Sequence, residues 1–62
     1  MTFRQAKKLH NEDEVILKTN GEVLHILNTH EEINEVTGKQ KIIIEAVGTD
    51  NQYVTVSHKE VR

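Results

Sequence analysis

With 62 residues, no cysteine and no proline, the chain has room for one small core that neither disulfides nor thiolate zinc sites can staple. A net charge of −2 excludes the strongly basic character of a general nucleic-acid binder, whose affinity comes from Lys and Arg displacing counterions around phosphates. The longest apolar run, Ile42 to Ile44, falls far short of the roughly 20 residues of a membrane span, and no basic leader precedes an apolar stretch, so a cytoplasmic chain is expected.

The chain opens with a helix-start signature. Thr2 and Gln5 stand at capping-box spacing, where each side chain can satisfy the other's free amide. Phe3, Ala6, Leu9 and His10 then share one side, which predicts a helix over residues 2–10. So short a helix is unstable alone, so Phe3 and Leu9 must cover part of an apolar sheet.

Two apolar runs, Val15 to Thr19 and Glu22 to Leu27, are joined by Asn20-Gly21, the residue pair that favours a type I′ turn. A two-residue loop pairs Thr19 with Glu22, which sets Leu17 opposite Leu24, Val15 opposite Ile26 and His25 opposite Ile16. Val15, Leu17, Leu24 and Ile26 then form the core face. The opposite face carries Ile16, Lys18, Val23, His25 and Leu27, more apolar than a solvated face should be.

Residues 28–40 admit two structured readings. Thr29 and Glu32 have capping-box spacing, with Ile33 and Val36 at helical spacing, but a strand running through Ile33 and Val36 to a turn at Thr37-Gly38-Lys39 fits as well. The expectation taken forward is a long, partly ordered acidic loop. Lys41 to Val47 reads as a central strand with Ile42, Ile44 and Ala46 on one face and Ile43, Glu45 and Val47 on the other. Gly48 to Asn51 is a turn, Tyr53 to Val56 a fourth strand, and the tail has length for one tight turn and a brief last strand.

The segments Asp13 to Val23 and Val54 to Val61 resemble the entry hairpin and the closing turn of SH3-like small barrels, including the KOW type. The resemblance implies a mainly β fold: a five-stranded antiparallel barrel over residues 13–62 with the N-terminal helix as an addition, in one domain spanning 1–62. It transfers fold and not function. Proline-binding SH3 domains need an aromatic groove, and here only Phe3 and Tyr53 are aromatic among non-histidine residues. In style the chain also looks like the short proteins of phages and mobile elements, which implies a modulator of a larger host protein.

No catalytic constellation appears. There is no Gly-rich phosphate loop, and the one serine, Ser57, adjoins His58 in sequence and so lacks the separately positioned base a nucleophile needs. No enzymatic activity, cofactor or small-molecule substrate is expected. Four histidines raise the question of a metal, but tight ligand pairs are lacking; His25 reads as a sheet residue, His30 as a loop residue, and His10 and His58 flank the beginning and end of the barrel, where strands could bring them together.

The expected activity is therefore binding. Tyr53, Ile16, Val23, His25, Leu27 and Ile43 are apolar or amphipathic on outward strand positions and make the candidate protein-interaction surface, for a partner protein or for self-association. The stretch from Glu12 to Glu35 sets seven acids against Lys18 alone, a net −6, which suits docking to a basic partner. The alternatives are a nucleic-acid contact through Arg4, Lys7, Lys8, Lys39 and Lys41, and a small structural accessory subunit of an assembly.

Overall fold

The computed structural model describes residues Met1–Arg62. Its elements in chain order are α1 (Phe3–Ala6), β1 (Glu14–Ile16), β2 (Val23–Ile33), β3 (Gln40–Val47), β4 (Tyr53–Ser57) and a 3₁₀ turn over His58–Glu60. The strands make one antiparallel sheet in the order β1-β2-β3-β4. The fold is mainly β with a short helix, as the apolar patterning implies. Where five strands were expected, the sheet has four, followed by a single bridge between Leu17 and Val61.

α1 begins where the sequence places it. The Thr2 hydroxyl accepts from the Gln5 amide at 3.1 Å, and Gln5 Oε1 accepts from the Thr2 amide at 2.9 Å. The helix is a single turn rather than the nine residues expected. Lys8 donates to the Gln5 carbonyl and Leu9 to the Ala6 carbonyl, i→i−3 bonds that wind the chain into a tighter turn. That turn keeps Ala6 buried and lays Phe3 and Leu9 against the core, while His10 points to water.

The first hairpin forms, in a register different from that expected. Val15 lies opposite Leu24 and Glu14 opposite His25, so the strand slides by two residues and His25 faces Glu14, not Ile16. The Leu17 amide donates to the Glu22 carbonyl and the Gly21 amide to the Leu17 carbonyl, closing a four-residue loop. Asn20 is not in the positive-φ region a type I′ turn demands of it; only Gly21, at φ 72°, is. The Asn20 side chain instead accepts from the Glu22 amide at 2.9 Å, which competes with the two-residue turn. A slip of two leaves side-chain parity unchanged, so Val15, Leu24 and Ile26 still face inward and are buried, with Leu17 packed beside them.

Residues 28–40 are a hairpin arm rather than a loop. β2 runs to Ile33, pairing Ile33 with Gln40. The turn beyond it is held by Asn34, whose Oδ1 accepts from the Val36 and Thr37 amides, and by Gly38 at φ 73°. Continuing the ladder satisfies main-chain groups that one isolated helical turn would leave free, which is why the strand reading prevails. The arm is exposed from His30 through Lys41, so the molecule is long for its size, 36 × 22 × 18 Å.

A β-bulge interrupts β2 between Ile26 and Asn28. One extra residue, Leu27, resets the alternation, so Thr29 and Glu31 stand on the side of Ile44 and Ile42 while Asn28 and His30 join the outer side. Ala6, Val15, Leu24, Ile26, Ile42, Ile44, Ala46 and Val61 make the buried core. β1 is held on both edges: β2 pairs on one side, and on the other the Ile16 amide and carbonyl bond to Arg62 while the Lys18 amide donates to the Glu60 carbonyl.

Candidate interaction surface

The outer face of the sheet follows from its register. Glu14, His25, Val47 and Tyr53 lie directly opposite one another across all four strands and form one row. A second row sets Asn28, Glu45 and Thr55 side by side, and a third His30, Ile43 and Ser57. Ile16 and Val23 form a pair at the β1 end.

Tyr53 is 80% exposed and Leu27, at the bulge, 45%. His25 is exposed, with its Nε2 3.5 Å from a Glu14 carboxylate oxygen. Ile16, Val23 and Ile43 are half-buried, so sheet curvature and neighbours cover part of each. The six expected residues therefore all fall on one face, and the accessible part centres on Tyr53, His25 and Leu27. Val47, half-buried between His25 and Tyr53, also belongs to the row. Parity puts it on the outer face, but only the pairing register shows that it joins Tyr53 to His25.

The basic residues divide into two groups. Arg4, Lys7 and Lys8 are exposed on or just after α1, with the Lys7 ammonium 5.5 Å from the Phe3 ring centroid. Lys39 and Lys41 line a shallow groove of about 360 Å³ at the hairpin arm, together with Glu32, Thr37 and Lys59. Glu32 lies 3.9 Å from Lys41 and 3.4 Å from His30, and His30 stands within β2 rather than on a loop. Lys59 has no sequence signal linking it to Lys39; the 3₁₀ turn brings it there.

His58 is buried, at 5% exposure. Its Nδ1 accepts from the Ile42 amide at 3.2 Å, and its ring meets Phe3 edge-on at a centroid distance of 5.8 Å. The imidazole thus takes the place of a ladder carbonyl where β3 runs past the end of β4. Burial lowers its pKa, and the nearby positive charges of Lys59, the chain's amino terminus and Lys18 act in the same direction. His10 is exposed, and no group of three or more His, Asp or Glu side chains is close enough to hold a metal ion. No helix is long and apolar enough to cross a membrane.

Comparison of the chain with protein-family models, with curated proteins and with solved structures finds no match.

Proposed function

We propose that this chain is a non-enzymatic protein-interaction module built as an SH3-like small barrel, and that it binds a partner protein through the outer face around Tyr53. The observation that carries the reading is the row Glu14-His25-Val47-Tyr53, in which a tyrosine is 80% exposed beside Val47 while Leu27 stands exposed nearby. A large amphipathic ring held on a rigid strand with little water-side cover is the kind of anchor that dominates protein interfaces. Glu14 in this row and Glu45 in the next give the patch an acidic rim, so the partner chemistry that fits is an apolar anchor flanked by a base.

The barrel reading is supported by the bulge at Leu27, which bends β2, and by the bonds from Glu60 and Arg62 to the free edge of β1. Leu17 and Val61 then mark a fifth strand reduced to a bridge. A second reading, contact with a nucleic-acid phosphate through Lys39 and Lys41, gains support from Lys59 lining the same groove.

Affinity capture from the native host with wild type and Tyr53→Ala in parallel tests the first reading. A specific protein retained by wild type should drop by about tenfold or more with Tyr53→Ala, the loss expected from an anchor costing about 2 kcal/mol. Because Tyr53 is exposed, the variant should melt within about 0.5 kcal/mol of wild type, so lost capture would not reflect unfolding. Equal retention by both proteins counts against this face.

A further inference from the structure

β4 is the last strand of the sheet, and its outer edge has no strand beside it. The direction of its main-chain groups follows from the ladder. The Gly48 amide donates to the Gln52 carbonyl at 2.9 Å, which fixes that pair as a bonded one. In an antiparallel ladder bonded pairs alternate, so Ala46 with Val54 and Ile44 with Val56 bond across β3 and β4. Tyr53, Thr55 and Ser57 consequently turn their amides and carbonyls outward. Only the Ser57 amide is occupied, by a Glu60 carboxylate oxygen at 2.7 Å.

Proteins usually guard such an edge with charges, proline or a covering segment. The β1 edge is covered by residues Glu60 and Arg62. The overhang of β2 carries Glu31 and Glu32, which repel a second copy. β4 reads Tyr-Val-Thr-Val-Ser, with no charge and no proline.

The segment is also self-complementary. Antiparallel pairing about a twofold axis at Thr55 sets Thr55 against its own copy, Val54 against Val56 of the copy and Tyr53 against Ser57 of the copy. No like charges meet. The Thr55 pair exchanges two main-chain bonds and each Tyr53 amide reaches a Ser57 carbonyl, four bonds in all, without disturbing the Ser57 amide held by Glu60. Val54 and Val56, half-buried at the rim of the core, cover one another across the axis. We propose that a second copy of this chain pairs along β4, extending the sheet across a twofold axis. This stands apart from the outer-face reading, because it uses the main-chain edge.

The contact is smaller than the roughly 1,200 Å² of standard stable interfaces, so the pairing is of the weak, concentration-dependent class. Sedimentation equilibrium between about 10 μM and about 1 mM reads it. The wild-type mass should rise toward twice the monomer. Thr55→Lys and Thr55→Glu each place like charges across the axis at an exposed position, and each alone should stay monomeric. An equal mixture of the two should recover the doubled mass. Glu45 lies opposite Thr55 and opposes the Glu variant, so a readout without substitution accompanies these: the wild-type Thr55 amide should exchange hydrogen more slowly as concentration rises. A wild type that stays monomeric at about 1 mM overturns the proposal, as does undiminished self-association of both variants or a concentration-independent Thr55 amide.

Discussion

Val61→Asp should leave the domain unfolded at room temperature. Val61 has no exposed surface and closes the core against Leu17, with the main-chain bonds of Glu60 and Arg62 to β1 on either side of it. An aspartate there either carries a charge into an apolar site or is held neutral far above its ordinary pKa, and each route costs several kcal/mol. A chain of this length has roughly 3–9 kcal/mol to lose at the usual stability per residue. The charge also falls between the main-chain bonds that Glu60 and Arg62 make to β1, so it weakens the clasp on that strand. Circular dichroism should show no cooperative melt for Val61→Asp, whereas Arg62→Ala, at an exposed neighbour, should melt within about 0.5 kcal/mol of wild type. A Val61→Asp protein that melts like wild type would remove Val61 from the core.

His58→Ala should be the next most damaging change, costing about 2–4 kcal/mol through an orphaned buried Ile42 amide and a lost packing partner for Phe3. His58→Asn should recover part of this, because its Oδ1 can stand where Nδ1 stands and accept the same amide. The pair also separates the effect of protonation. In the folded chain burial keeps His58 neutral, and protonating Nδ1 would break the bond from Ile42. The unfolded chain takes up the proton near the ordinary value of about 6.5, so it binds more protons than the folded one just below that pH.

The stability due to neutral His58 is therefore complete above about pH 6.5 and declines as the pH falls toward its lowered folded value, by at most about 1.4 kcal/mol per pH unit. His58→Asn lacks this dependence, and the remaining carboxylates and histidines affect both proteins alike. Denaturant titrations at stepped pH should show the wild-type advantage shrinking on acidification. Parallel stability profiles would contradict a buried, neutral His58.

Side-chain parity was the most legible feature of the sequence, because period-two alternation survives errors in pairing. Val15, Leu24, Ile26, Ile42, Ile44 and Ala46 are all buried, although the Asn20-Gly21 hairpin slid by two residues. The slip has a local cause, the Asn20 side chain capping the Glu22 amide, and nothing in the apolar pattern opposes a shift of two. The arm over residues 28–40 was hidden for another reason: both its faces are wet, so it has no apolar alternation to announce a strand.

The site shows the same division. Tyr53, His25 and Leu27 could be placed on the outer face by parity alone, but Val47 becomes their neighbour only through the pairing of three strands. The bulge at Leu27, which no residue type marks, is what brings Asn28 and His30 to that same face. In sequence His58 stands near the chain's end, and it becomes the acceptor for a buried amide because the 3₁₀ turn folds it over the end of β3.

Photo-crosslinking in the native host shows whether the face around Tyr53 meets a partner protein. A benzophenone amino acid at position 53 is compared with the same group at position 39 in the lysine-lined groove. Position 53 should give a discrete protein adduct and position 39 none. Adducts from position 39 alone, to protein or to nucleic acid, would contradict a partner at this face.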